Sequence, residues 1–151
     1  MILTATILLT FIVMEGIAWL MHKYIMHGAF WFLHADHHAH DHHDSIFEMN
    51  DTFFIFFSIL AIASYLLWYQ FQNAIFLGMG VGISIYGAVY FIIHDLFIHQ
   101  RIKIWRKTNN PYLKAVRRAH KIHHKHLGKE DGECFGLLWV PLRYYKDVAK
   151  S

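Results

Sequence analysis

Two histidine patterns each occur twice in this chain, and any fold it adopts has to bring them together. His22 and His27 form an HxxxxH, followed by an HxxHH at His34, His37 and His38. The same order returns as His94 and His99, then His120, His123 and His124. Ten of the fourteen histidines fall in this pattern. Imidazole is the commonest protein metal ligand, and so many at short spacing exceed what one mononuclear site takes. The set reads as a metal centre with two metals to share. Isolated core histidines explain one or two such positions, not ten.

Helix geometry makes a sharper statement. Positions 0, 3 and 4 of an α-helix lie within about 60° of one another. His34, His37 and His38 are therefore expected to converge on one side, and so are His120, His123 and His124. Positions 0 and 5 lie roughly 140° apart on a straight helix. On that geometry His22 and His27 do not readily chelate one ion, nor do His94 and His99; they bind different metals, or bind where a helix is ending.

The stretches between the clusters are apolar and long. Residues 2–21, 52–69 and 74–93 each come near the ~20 residues a membrane-spanning helix needs. The first is no signal peptide by pattern: it has no basic start and runs straight into His22 without a small-residue cleavage site. Residues 70–73 are too few for anything but a turn, so the second and third spans form a hairpin. His94 then returns to the face that holds His34. Gly78, Gly80, Gly82 and Gly87 imitate a nucleotide-binding pattern, but no strand precedes them, and close helix packing is the better reason for them.

After residue 100 the composition changes. Residues 101–151 carry thirteen of the fourteen Lys and Arg. That asymmetry places the carboxyl-terminal part in the cytoplasm, and with three spans all four histidine clusters come out on that side. Residues 111–125 read as a helix with Pro111 in its first turn. Residues 135–142 are too short to span and read as an interfacial segment anchored by Trp139, Tyr144 and Tyr145. The expected fold is all-α: one integral membrane domain over residues 1–151, a bundle of three transmembrane helices under a cytoplasmic, histidine-rich di-metal cap. A fourth span, with part of residues 101–140 dipping into the bilayer, stays open as an alternative. An inner-membrane, multi-pass protein with lipid around it is implied, and no nucleic-acid partner is needed to explain the charge.

The remaining polar residues are weighed against the ten. Glu15 sits inside the first span, where a carboxylate is costly; it either lies near the metals or bonds between helices. Glu15, Asp36, Asp95, His40 and His126 are candidates to stand next to the ligands rather than among them. His40, His42 and His43 have a spacing that the second half does not repeat. The single Cys134 offers neither an internal disulfide nor a cysteine cluster. No HExxH is present, so a zinc protease is not indicated. A metal transporter would string its histidines through the bilayer, and a bis-histidine haem would strand most of the ten. Neutral imidazoles suit Fe, Cu, Ni and Zn alike. No flavin or nucleotide motif is visible, so redox electrons have to come from an external donor.

At these clusters the sequence resembles the membrane fatty acid hydroxylase/sterol desaturase superfamily of non-haem di-iron enzymes, and within it the carotenoid β-ring hydroxylases of bacteria. The carriers are MEGIAWLMHKYIMHG at 14–28, FEMND at 47–51, the His94–His99 motif, RAHKIHH at 118–124 and GECFG at 132–136. The extra run at residues 39–44 departs from many members. The resemblance implies two Fe held by His22, His27, His34, His37, His38, His94, His99, His120, His123 and His124, with O2 as co-substrate. It implies a carotenoid lipid as substrate, with β-carotene hydroxylated at C3 through β-cryptoxanthin to zeaxanthin. Fatty acid or sterol hydroxylation or desaturation is the alternative within the superfamily. Electrons would come from a ferredoxin-type or other reductase. Arg101, Lys103, Arg106, Lys107, Lys114, Arg117 and Arg118 either form its landing surface or simply set the topology and attract anionic lipid.

Overall fold

The structure, a computed structural model, describes residues 1–39 and 47–149. Helix α1 (Ile2–Leu20) runs without a break into a wider π-type segment, Met21–Ala29, and a short helix α2 (Trp31–His38) follows. Helix α3 (Asp51–Phe71) and helix α4 (Ala74–Tyr90) form the hairpin, and α4 passes into a second π-type segment, Phe91–Ile98. Helices α5 (Pro111–His123) and α6 (Leu142–Ala149) complete the cap, and the described residues contain no strand.

Three helices, Ile2–Ala29 (kinked at Gly28), Asp51–Phe71 and Ala74–Ile98, are long and apolar enough to cross a membrane. At ~1.5 Å per residue they match a hydrocarbon core of ~30 Å. Their outward residues are apolar too: Leu8, Leu9, Ile55, Ile59 and Leu66 all lie exposed. A helix that is apolar on every side belongs in lipid, not at a water boundary. The hairpin turn is tighter than the four residues expected. Helix α3 runs on through Phe71, Gln72 turns left-handed at φ 50°, and the Asn73 side chain accepts the Ile75 N–H to start α4.

Helix α4 is the central element, packed against both α1 and α3. Its glycines allow this. A Cβ on Gly78 would stand 2.6 Å from Thr6 Cβ, and one on Gly82 2.6 Å from Thr10 Cβ, so α1 reaches its position only because both are bare. This is the small-xxx-small contact of membrane helices. A Cβ on Gly80 would likewise meet the Tyr65 ring of α3 at 2.8 Å.

Over residues 101–140 the structure has one helix, α5, and no fourth span. At ~1.5 Å per residue its 13 residues cover only ~20 Å. Asn110 caps it by accepting the Leu113 N–H, with Pro111 at its start. Its apolar face (Ala115, Val116, Ala119) packs with Phe97, Ile98, Leu137, Val140 and Tyr144 into one buried apolar core. Tyr144 is therefore no interfacial anchor: its ring is buried, and its hydroxyl donates to Glu133 Oε2 at 3.2 Å. Trp139 does stand outside, at 82% exposure.

Candidate metal centre

The first π-type segment carries His22 and His27, and the second carries His94 with His99 immediately after it, and this changes what the spacing means. In such a turn an N–H bonds to the carbonyl five residues back, so residues five apart stand over one another. The His99 N–H donates to the His94 carbonyl at 2.9 Å, and the Phe30 N–H to the Ile25 carbonyl at 2.9 Å. The His22 and His27 rings accordingly lie 5.1 Å apart, and the His94 and His99 rings 4.5 Å apart. The separation of roughly 140° expected for a straight α-helix does not apply, and each pair faces one site.

The HxxHH motifs also depart from expectation, because neither places its three imidazoles on one site. One ligand atom from each of His22, His27, His34, His38 and His123 lies within 4.8 Å of every other, and the same holds for His37, His94, His99 and His120. Each motif thus gives its middle histidine to the other group: His37 crosses to the second and His123 to the first. The groups touch, with the His34 and His37 rings 5.3 Å apart. His124 lies outside both groups at this distance, yet its ring stacks on His38 at 4.3 Å and stands 4.5 Å from His120.

Which ring nitrogen faces inward is set from outside. Nδ1–H donates to a backbone carbonyl in His22 (Phe135, 2.9 Å), His27 (Lys129, 3.0 Å), His38 (His126, 3.0 Å) and His123 (Glu133, 3.0 Å). It donates to a side-chain oxygen in His34 (Asn50, 2.7 Å), His37 (Glu48, 2.7 Å) and His94 (Asp95, 3.0 Å). A carbonyl or carboxylate oxygen only accepts, so these contacts fix the proton on Nδ1 and leave the Nε2 lone pair free. His99 and His120 bring their Nε2 atoms to 2.8 Å; among the seven rings with the proton so fixed, the Nε2 atoms face each other in His22 and His34 at 3.1 Å, His27 and His123 at 3.1 Å, and His37 and His94 at 3.2 Å. Two unprotonated nitrogens at that range repel unless a cation lies between them. Ligand nitrogens about 2.1 Å from one ion, at a right angle, stand about 3.0 Å apart. His124 adds a buried Nε2 without a protein partner beside the second group. The donor set therefore fits metal ions, and neutral imidazoles suit Fe, Cu, Ni and Zn alike.

Burial keeps seven of the rings neutral. It pushes His34 down to about 2, His123 to about 3 and His38 to about 4, and it drives His37, His99, His120 and His124 well below the ordinary histidine range. No proton competes for the lone pairs near neutrality.

The outer residues divide by group. Carbonyls of residues 126–135 hold most of the first group, while carboxylates back the second. One guanidinium ties those carboxylates together: Arg101 bonds Glu48 at 2.7 Å and Asp51 at 2.8 Å, and its Nε lies 3.4 Å from Asp95. Arg101 is thus largely buried in the site and is not surface charge. Arg117 is also structural, lying over the Phe97 ring and donating to the carbonyls of Phe97 and Arg106. Of the residues expected beside the ligands, Asp95 touches His94 directly. Asp36 instead accepts the Met49 N–H, and His126 contributes its carbonyl. Glu15 touches none of the ten. His40, with His42 and His43, lies outside the described residues. Glu48, Asn50, Asp51 and Arg101 are the site residues that spacing alone missed. The one signal for the first three was the FEMND stretch at 47–51, set directly before an apolar span.

Beneath the histidines a cavity of ≈ 450 Å³ lies between α1 and α3, with α4 at its back. Its wall is mostly apolar, including Met14, Phe54, Phe57, Ile83 and Tyr86, and it ends at His22, His94 and His120. Both groups thus open onto one greasy chamber.

Histidines collected at the ends of membrane helices and from a helical cap define a class, and the sequence agrees: the fatty acid hydroxylase family model matches residues 7–142, and the chain belongs to that family. The similar curated proteins are narrower in kind. The β-carotene hydroxylase of Pantoea ananas is 39% identical over 89% of this chain and 75% of its own length. Those of Pseudescherichia vulneris (35%, over 89% and 74%) and Paracoccus sp. strain PC1 (34%, over 87% and 80%) are similar to it as well. No solved structure matches the chain.

Proposed function

We propose that this chain is a membrane monooxygenase that hydroxylates a carotenoid β-ring at C3, taking β-carotene through β-cryptoxanthin to zeaxanthin. The observation that carries the reading is the set of inward-facing, proton-free Nε2 atoms at the end of an apolar cavity. The similarity to β-carotene hydroxylases supports the substrate. The ten patterned histidines hold two irons, His124 joining the second group through its unpartnered Nε2. When bound, the metals supply activation of O2. Overall, O2, two electrons and two protons convert C–H to C–OH and release one water. The chain itself has three tasks. The outer carbonyls and carboxylates hold the imidazole tautomers, the phenylalanines and methionines of the cavity receive the ring end of the lipid, and the membrane helices admit it laterally, since a carotenoid dissolves in the bilayer and not in water. Electrons come from a ferredoxin-type or other reductase on the cytoplasmic side of the inner membrane, where the Lys- and Arg-rich half lies.

Expression in cells that accumulate β-carotene tests this directly, with zeaxanthin as the expected product. Unchanged β-carotene alongside folded, iron-loaded protein would overturn the substrate. Conversion of a fatty acid or sterol by the same preparation would move the assignment to the wider superfamily.

A further inference from the structure

Glu15 is the carboxylate that the site leaves unused. It lies in the middle of an apolar span, where an ionisable group is costly unless it is fully partnered, and here it is. Oε1 accepts three consecutive backbone N–H groups, from Leu137 at 3.0 Å, Leu138 at 2.8 Å and Trp139 at 2.9 Å. Oε2 accepts the Tyr86 hydroxyl of α4 at 2.8 Å. One side chain of α1 thus gathers a nest of N–H donors from a segment more than a hundred residues away. The approach is tight: a Cβ on Gly136 would stand 3.1 Å from Oε1.

The segment so held is the one that roofs the first histidine group. The Phe135 carbonyl takes the His22 Nδ1–H, and its ring lies 5.4 Å from His22, 5.2 Å from His27 and 5.2 Å from His123. We propose that Glu15 is a positioning residue: by pinning residues 137–139 it sets the Phe135 carbonyl and so keeps the His22 lone pair aimed at the first group. It serves the first group and not the second, whose outer contacts run through Glu48, Asp95 and Arg101. The inference rests on the metal-centre reading above.

Full-length protein in lipid nanodiscs, wild type beside Glu15→Ala, Glu15→Gln and Gly80→Ala, tests it by two readouts. Amide exchange at Leu137, Leu138 and Trp139 reports the clamp without reference to metal. Bound iron per chain, with its Mössbauer spectrum, reports the consequence. Glu15→Ala is expected to lose protection at those three amides, and to weaken the first group's metal by about 10–100-fold, so that iron falls from two towards one and one spectral component goes. Glu15→Gln keeps an acceptor oxygen for the three N–H groups and should restore most protection and both irons. Gly80→Ala disturbs the α3–α4 contact, away from α1 and the segment, and should keep both. Wild-type protection in Glu15→Ala overturns the clamp, and so does parallel loss of both irons in Glu15→Ala and Gly80→Ala. Wild-type protein without metal would instead sink the metal reading, and the exchange data would still decide whether Glu15 holds the segment.

Discussion

On the proposed reading, what separates a ligand from a bystander is the nitrogen that each ring leaves free. A histidine whose Nδ1–H is taken by an outer oxygen, and whose Nε2 faces another Nε2, has no hydrogen-bonding role left for that atom. His126 is the contrast, because it serves the site through its carbonyl to His38. Alanine at any of the ten patterned positions is therefore expected to abolish hydroxylation and to lower bound metal from two towards one or none. His126→Ala keeps the carbonyl and should retain both metals and measurable activity. Elemental analysis of the purified variants checks this. A His37→Ala protein with full metal, or a His126→Ala protein with none, would contradict it.

At the scale of elements, the sequence made the spans, the hairpin and the α5 helix legible, because each rests on a local signal: apolar length, an asparagine or proline at a start, a short polar turn. The pairing within HxxxxH was not legible. Residues His22 and His27 share a side only because the helix widens there, and nothing in the motif's own side chains announces i→i+5 bonding. The crossing of His37 and His123 was hidden for a different reason. It depends on how α2 and α5 meet, and helix periodicity is blind to neighbours. Glu48, Asn50 and Arg101 were obscured because their partners lie up to 53 positions away in the chain. The glycine reading of α4 gives a prediction at this scale. Gly78→Val places a branched side chain where Thr6 already stands, and overpacking of that kind costs about 1–3 kcal/mol. A lowered Tm in detergent is expected, whereas Gly87→Ala, with its nearest neighbour 3.7 Å away, should leave it near wild type. Equal Tm values for the two would contradict the close α1–α4 contact.

The whole molecule is a membrane hairpin and a third span carrying a water-side cap whose interior is crowded with imidazole. That interior has a pH consequence. His34, His123 and His38 are held down at about 2, 3 and 4, whereas an unfolded histidine titrates near about 6.5. Between those values the unfolded chain binds more protons than the folded one, so stability rises with pH. Metal-free protein should show a Tm that drops progressively as pH is lowered from about 7.5 to about 5. A flat Tm across that window would mean that the cap does not bury neutral histidines. Bound metal should shift the loss to lower pH, since protons must then displace it.

The central claim is that one small chain holds two metals between histidines contributed crosswise by α2 and α5. Iron per chain, measured on wild-type protein purified in lipid under reducing, iron-replete conditions, tests it most directly. The account predicts about two irons per chain, with iron lost when either His37 or His123 is replaced by alanine. A wild-type value of one or zero, in protein that is folded and converts substrate, would contradict it.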